Sequence, residues 1–440
     1  MPIPRESCET ISRNFAPNAF ARAAVAAGCT PSAPPPPDVL LVLVDTLRAD
    51  ALAATGGVGG VMPFLDQLAD RSLVFSDVKA NAPWTYPSMA SFFTGMLPEE
   101  HGAVWGGELD EQQWTLAEAL AQRGYRTEAY VGNGAWMRAD LGMAQGFARF
   151  EQLDAPGGNY PPAEEVTTAA LDSFDAASEQ PLFLYVHYMD PHVPYLAAGI
   201  ADPADHDIAR AAYQADLAHL DAELRRLVDA ISARRDRPAR LLITADHGEE
   251  FGEHGERGHG RVLYDEVLRV PALLHDFGDD AGGVIAEPLE GRDFFFLLQG
   301  LADDPSFDVP AWARAQARTE RYASTYYTNR SPIYRWLRPY RAAICLQAIE
   351  RDGYTLIWSC QGNTYELYDL STDPAQRHNI AAREPEVVER LAAAMRDAPA
   401  YWTRSVTRDF SPEESRSSSP KVLAVRLWGD MPMPEAAPTR

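Results

Sequence analysis

The chain of 440 residues predicts an α/β fold, a mostly parallel sheet flanked by helices, with a smaller C-terminal α+β subdomain. Two observations carry this expectation. Several short runs are apolar throughout instead of alternating: DVLLVLV from Asp38, PLFLYVHY from Pro181 and RLLIT from Arg240. Such runs suit strands covered on both faces, as in a parallel sheet between helical layers. Segments of helical period lie between them, and that alternation is the signature of strand–helix–strand units.

Taken in order, Asp38–Asp45 reads as the first buried strand, Met62–Arg71 as a helix and Ser72–Val78 as a second strand. Thr115–Gly132 reads as a helix, a glycine stop and a strand. Thr115 and Glu118 stand in capping-box spacing at its start. Pro181–Asp190 is a strand running into the loop DPHVPY. Residues 211–234 form a long amphipathic helix with Leu217, Leu220, Leu224, Leu227 and Ile231 on one face. Arg240–Asp246 and Val270–Phe277 complete the strands of the main unit. Beyond about Pro305 an antiparallel meander turns at Arg351–Gly353 and Gln361–Asn363, and a helix follows over 384–397. The division expected is a leader and proline-rich linker over 1–37, a catalytic domain over 38–305, a smaller subdomain over 306–410 and a loosely ordered tail over 411–440.

The balance of charge narrows the partners. At 46% hydrophobic and 23% charged residues the chain reads as globular. No run of 18 apolar residues predicts a transmembrane helix. A formal charge of −24 excludes nucleic acid as an expected partner and offers no long-range attraction to an anion. Lysine occurs only at Lys79 and Lys421. The four cysteines lack metal-ligand spacing, and Cys345 and Cys360 either pair or are simply buried. Before the prolines, a short apolar stretch leads to Gly28–Cys29. Two readings stay open there: a degenerate lipoprotein signal with Cys29 as the lipidated residue, the one expected route to a membrane, or a plain disordered leader. Localisation therefore stays open between a periplasmic or outer-membrane lipoprotein and the cytoplasm.

Three segments concentrate chemistry. VLLVLVDTLRAD places Asp45 at the end of an apolar strand. NAPWTYPSMASFFTG offers Thr85 as a short hydroxyl nucleophile, and LLITADHGEEFGEHGERGHG places Asp246 and His247 at the end of another strand. Ligands gather at the carboxyl ends of strands in such sheets, and Asp45, His192, Asp246 and His247 all fall there. Carboxylates with an imidazole suit a divalent cation, Zn2+, Mn2+ or Ca2+. Plainer roles exist for each group: Asp45 and Thr85 as helix caps, Arg48 as the partner of Asp50, and His101 as structural. His187, His206, His219, His275 and His378 read as core or surface residues. Glu249, Glu250, Glu253 and Glu256 read as a solvated face.

Together these segments, with FLYVHYMDPHVPY, GHGRVLYDEVLRVP and ELYDLSTDP, resemble the sulfatase family of the alkaline phosphatase superfamily. The resemblance implies an alkaline-phosphatase-like fold and a hydrolase of sulfate or phosphate esters. It implies a metal held by Asp45, Asp246 and His247 with Thr85 facing it, and His192 and His259 contacting ester oxygens or protonating the leaving group. His254 is a further neighbour on the same loop, and the resemblance implies one metal per chain, because Asp190 and His192 stand too close together to copy the spaced ligands of the superfamily's two-zinc members. The departures are informative. Sulfatases carry Cys or Ser followed by x-Pro-x-Arg, and convert the first residue to formylglycine. Here the stretch is Thr85-Tyr86-Pro87-Ser88-Met89, and threonine cannot give that aldehyde. The family's sulfate-binding lysines are missing, VGNGAW stands where many members have a lysine segment, and Thr46 replaces a second aspartate. A threonine nucleophile is what the superfamily's phosphodiesterases and phospho-group transferases use, so phosphodiester or phosphonate-ester chemistry is expected. The substrate class is a small-molecule, glycan or lipid-headgroup ester. Alternative readings are a transferase to an alcohol acceptor and a degenerate metal-binding module.

Overall fold

The computed structural model describes residues 35–105, 107–154, 160–174, 179–200, 203–233, 237–327, 344–360 and 362–398. The leader with Cys29 and the tail over 411–440 lie outside the described residues.

Among the described residues the main sheet has nine strands. β1 (Asp38–Val44), β2 (Leu73–Lys79), β3 (Arg126–Val131), β4 (Arg149–Gln152), β5 (Leu182–Tyr188) and β6 (Ala239–Thr244) are joined by β9 (Arg269–Phe277), β10 (Gly283–Ile285) and β11 (Leu289–Glu290). Two short strands, β7 (Glu250–Phe251) and β8 (Arg257–Gly258), pair with each other alone. The order is β10-β2-β9-β6-β1-β5-β3-β4, with β11 beside β2. β1 lies parallel between β5 and β6, its Val39 opposite Phe183 and Arg240. β9 runs antiparallel to β6 and β2, an orientation that its apolar run does not encode, because burial on two faces looks the same in either direction.

Every residue of β5 is buried, as two covered faces require. Among the helices, α1 (Pro63–Ala69) packs on the long α5, and α2 (Thr85–Thr94) carries the nucleophile segment. α3 (Leu116–Gln122) packs on β3, and α4 (Ala163–Phe174) packs on β3 and β5. α5 (His206–Ala233) buries Leu217, Leu220, Leu224, Leu227 and Ile231. The capping box at α3 is present: Glu118 N donates to Thr115 Oγ1 at 3.2 Å, and Thr115 N donates to Glu118 Oε2 at 2.9 Å.

The C-terminal unit is a four-stranded antiparallel sheet, β12 (Glu320–Tyr327), β13 (Ile344–Arg351), β14 (Tyr354–Ser359) and β15 (Thr364–Asp369). The helix α6 (Pro385–Asp397) packs against β13 and β14. The sequence reading found the last three strands and missed β12. A disulfide joins Cys345 to Cys360 across a Cα separation of 5.6 Å. Among the described residues no helix is long and apolar enough to cross a membrane.

Candidate active site

The neighbouring strands β5, β1 and β6 end side by side, which brings three distant segments together. Asp45 follows β1, the loop with Asp190 and His192 follows β5, and Asp246–His247 follows β6. The fourth contribution is α2. Trp84 is its N-cap and Thr85 its first residue, so the expectation that Thr85 itself caps the helix is displaced by one position. All of α2 is buried, and its positive N-terminal end faces the cluster. Ser88 Oγ donates to the backbone oxygen of Asp246 at 2.6 Å and ties that end to the β6 loop.

The contacts define a tight constellation. Thr85 Oγ1 donates to Asp45 Oδ2 at 3.2 Å and lies 3.5 Å from His247 Nε2. His247 directs Nδ1 at the Gly248 carbonyl, 2.9 Å away, which leaves the Nε2 lone pair facing inward. That atom is 3.3 Å from Asp246 Oδ2 and 3.8 Å from Asp45 Oδ1. Asp246 Oδ1 accepts from the backbone N of His247 and of Thr46. Thr46 holds φ at +59°, which is strained for a β-branched residue. The Tyr213 hydroxyl secures it by donating to its carbonyl at 3.0 Å. Gly248 must be glycine here, since a Cβ would lie 2.1 Å from the Glu266 backbone oxygen.

Electrostatics make the cluster a cation trap. Burial pushes Asp45 up, but the His187 hydrogen bond and the nearby His192 and His247 hold it well below the usual carboxylate range. Burial and the charge of Asp45 push Asp246 well above that range. Burial, with His259 close by, lowers His247 to about 3, so it is a neutral imidazole with an available lone pair. Asp45 Oδ1 and Asp246 Oδ2 are buried without a hydrogen-bond partner. Two orphaned carboxylate oxygens and an imidazole nitrogen facing one another fit a divalent cation, and Asp45, Asp246 and His247 are the residues that would hold it.

His192 and His259 stand at the half-buried rim. Their rings are 5.1 Å apart, and that of His259 is 4.4 Å from His247. The Tyr160 hydroxyl donates to the carbonyls of His192 and Pro194 and fixes the loop. The structure thus brings together all six residues singled out from the sequence: Asp45, Thr85, His192, Asp246, His247 and His259.

It also adds three that sequence reasoning missed. Asn133 Nδ2 donates to Asp45 Oδ2 at 2.9 Å and lies 3.4 Å from Thr85 Oγ1, while its Oδ1 accepts from the backbone of Ala135 and Trp136. It lies in VGNGAW, a segment read only for the lysine it lacks. His187, read as a core or surface residue, is fully buried but lies 3.3 Å from Asp45 Oδ2 through Nε2. Glu249, read as part of a solvated face, is buried and lies 3.0 Å from His259 Nδ1. In that face only Glu256 is exposed. Glu250 is buried and Glu253 pairs with Arg48 and Arg210, because the loop folds inward through β7 and β8. Arg48 is committed to Asp50 and Glu253, and His101 to Ser91 and the Ala103 amide.

Comparison with known proteins agrees with this architecture. The family model described as Sulfatase matches residues 37–302. Human arylsulfatase A is 27% identical over 81% of this chain and 86% of its own. A Δ4,5-hexuronate-2-O-sulfatase of Bacteroides thetaiotaomicron is 22% identical over 86% of this chain and 91% of its own. The solved phosphonate monoester hydrolase of Agrobacterium radiobacter superposes with a TM-score of 0.64 at 19% identity, covering 81% of this chain and 94% of that one. With the match spanning most of the central sheet and every segment of the constellation, the chain belongs to the sulfatase family of ester-bond hydrolases.

Proposed function

We propose that the protein hydrolyses phosphonate monoesters or phosphodiesters through Thr85. The observation that carries this reading is the Thr85 hydroxyl itself, poised against Asp45 Oδ2 and His247 Nε2 at the start of α2. Thr85 Oγ1 attacks phosphorus, the bond to the leaving alcohol breaks, and the hydroxyl proton is lost to solvent, while Asp45 Oδ2, which accepts the Thr85 hydrogen bond, orients the attacking oxygen. His192 and His259 stand where they can protonate the departing oxygen. Water then attacks the threonyl ester, the Oγ1–phosphorus bond breaks, and the hydroxyl is restored. A divalent cation held by Asp45, Asp246 and His247 supplies charge neutralisation and lowers the pKa of the attacking hydroxyl. Asn133 holds Asp45 and Thr85 in register.

Three features favour phosphorus over sulfur. Threonine cannot become formylglycine, Met89 stands where sulfatases have arginine, and no lysine occurs between Lys79 and Lys421. The likeness to two phosphonate monoester hydrolases, a likeness of fold, is consistent with this.

The test is turnover of aryl sulfate, aryl phosphate, aryl phosphodiester and aryl phosphonate monoester by the metal-supplemented protein. The diester or phosphonate should be preferred, and Thr85→Ala should lose about 10⁴-fold or more. Asn133→Ala removes hydrogen bonds to a charged group and should cost roughly 10- to 100-fold in kcat/KM. A sulfate preference, or activity surviving in Thr85→Ala, overturns the reading.

A further inference from the structure

Beyond the Thr85 cluster, a second convergence of ligand atoms lies farther along the same loop. Glu250, His254 and Glu266 each present one donor atom, and these atoms lie within 4.8 Å of one another. Glu250 is fully buried. Its Oε1 accepts from the backbone N of His254 at 2.8 Å and of Glu256 at 3.0 Å, whereas its Oε2 is buried with no hydrogen-bond partner. His254 is oriented from two sides. Its ring stacks on Tyr264 at 3.6 Å, and its Nε2 lies 2.9 Å from the Gln376 carbonyl, to which it must donate. Nδ1 faces Glu266 Oε1 in direct contact.

With one ring proton on Nε2, the short contact between Nδ1 and Glu266 Oε1 holds a second proton when no ion is bound, and an ion would take that proton's place as the pair opens. A proton satisfies that pair but leaves Glu250 Oε2 without a donor. A divalent ion serves all three atoms and offsets both carboxylates. An imidazole whose other nitrogen donates to a backbone carbonyl is the usual support of a metal ligand. The donor atoms all lie within 4.8 Å of one another, so shifts of a few tenths of an ångström bring them onto one ion.

We propose that Glu250, His254 and Glu266 bind a second divalent cation, Zn2+ or Mn2+, separate from the ion at Asp45, Asp246 and His247. Two carboxylates and one imidazole suit these ions better than Ca2+, which prefers oxygen ligands throughout. Its role is structural. Gln376 belongs to the segment after β15, and Tyr264, which stacks on His254, donates to Glu366 of β15 at 2.8 Å. The ion therefore clips the loop that carries Glu249 and His259 to the C-terminal sheet.

The test counts metal. Full-length protein is stripped with a chelator, loaded with Mn2+ or Zn2+, desalted and assayed by elemental analysis. Two equivalents per chain are expected, falling to one in Glu250→Gln and to one in Asp246→Asn. One equivalent in the unaltered protein, lost in Asp246→Asn and kept in Glu250→Gln, overturns the second site and leaves a proton between His254 and Glu266. Should the variants not fold, anomalous scattering from Zn2+-loaded crystals of the unaltered chain decides. A peak among Glu250, His254 and Glu266 is expected, and a peak at the Thr85 cluster alone overturns the proposal. Failure at the Thr85 cluster alone would instead count against the function proposed above.

Discussion

Asp190 shows how costly a single carboxyl can be. It is 1% exposed, neither of its oxygens has a hydrogen-bond partner, and burial together with Asp216 raises it to about 7. Glu164 adds to the rise and His219 opposes it. Because the folded value lies above the unfolded one, the native state keeps a proton that the unfolded chain releases between about pH 4 and 7. Stability therefore falls as pH rises through that window, by at most about 4 kcal/mol from this group. Thermal melts should show Asp190→Asn gaining on the parent chain from pH 5 to pH 8; a constant difference would refute the assignment. The sequence gives no sign of the isolation of Asp190, which depends on Asp216 from a different element. Asn133 was illegible for a related reason: a lone asparagine between glycines carries no spacing signature, and only its distance to Asp45 discloses a role. Asp45, Asp246 and His247 were legible because they sit where an apolar run stops, and Thr85 because its stretch resembles the family's nucleophile segment.

At the scale of elements, the contrast between charged pairs decides what holds the units together. Lys79, at the end of β2, is 7% exposed and contacts Asp265 at 2.7 Å and Glu350 of β13. Arg321 of β12 joins Glu350 and Asp77. Removing the lysine leaves the partly buried Asp265 short of a partner and Glu350 with Arg321 alone, so Lys79→Ala should cost about 2–3 kcal/mol in denaturant unfolding. The half-exposed Arg123–Asp303 pair offers a control at about 1 kcal/mol or less. Equal costs for the two would show that burial does not govern these bridges. The rarity of lysine was plain in the sequence, whereas the service of Lys79 was not, because Glu350 lies 271 residues away. Local signals fared better: the Thr115–Glu118 box appears as expected, since every contact in it falls within one turn. β12 escaped notice because ERYASTYY is mostly polar or aromatic and lacks the aliphatic run that marked the others.

For the whole molecule, a charge of −24 sets the terms on which an anionic ester arrives. Raising ionic strength from about 0.01 to 0.15 M shortens the screening length from about 30 to 8 Å. KM for a charged phosphonate ester should therefore fall with added salt while kcat holds. A KM that climbs instead would show that local positive charge outweighs the global field. The fold class was readable because burial on two faces leaves its mark in composition. The strand order was not, since it rests on pairings such as Val39 with Phe183 and with Arg240. The position of Thr85 at the head of α2 has one last consequence under the proposed function. A nucleophile written directly into the gene needs no maturation enzyme, so every folded chain that holds its metal is a competent one. Heterologous expression should then yield full specific activity in any host, without the fractional conversion that limits enzymes dependent on formylglycine.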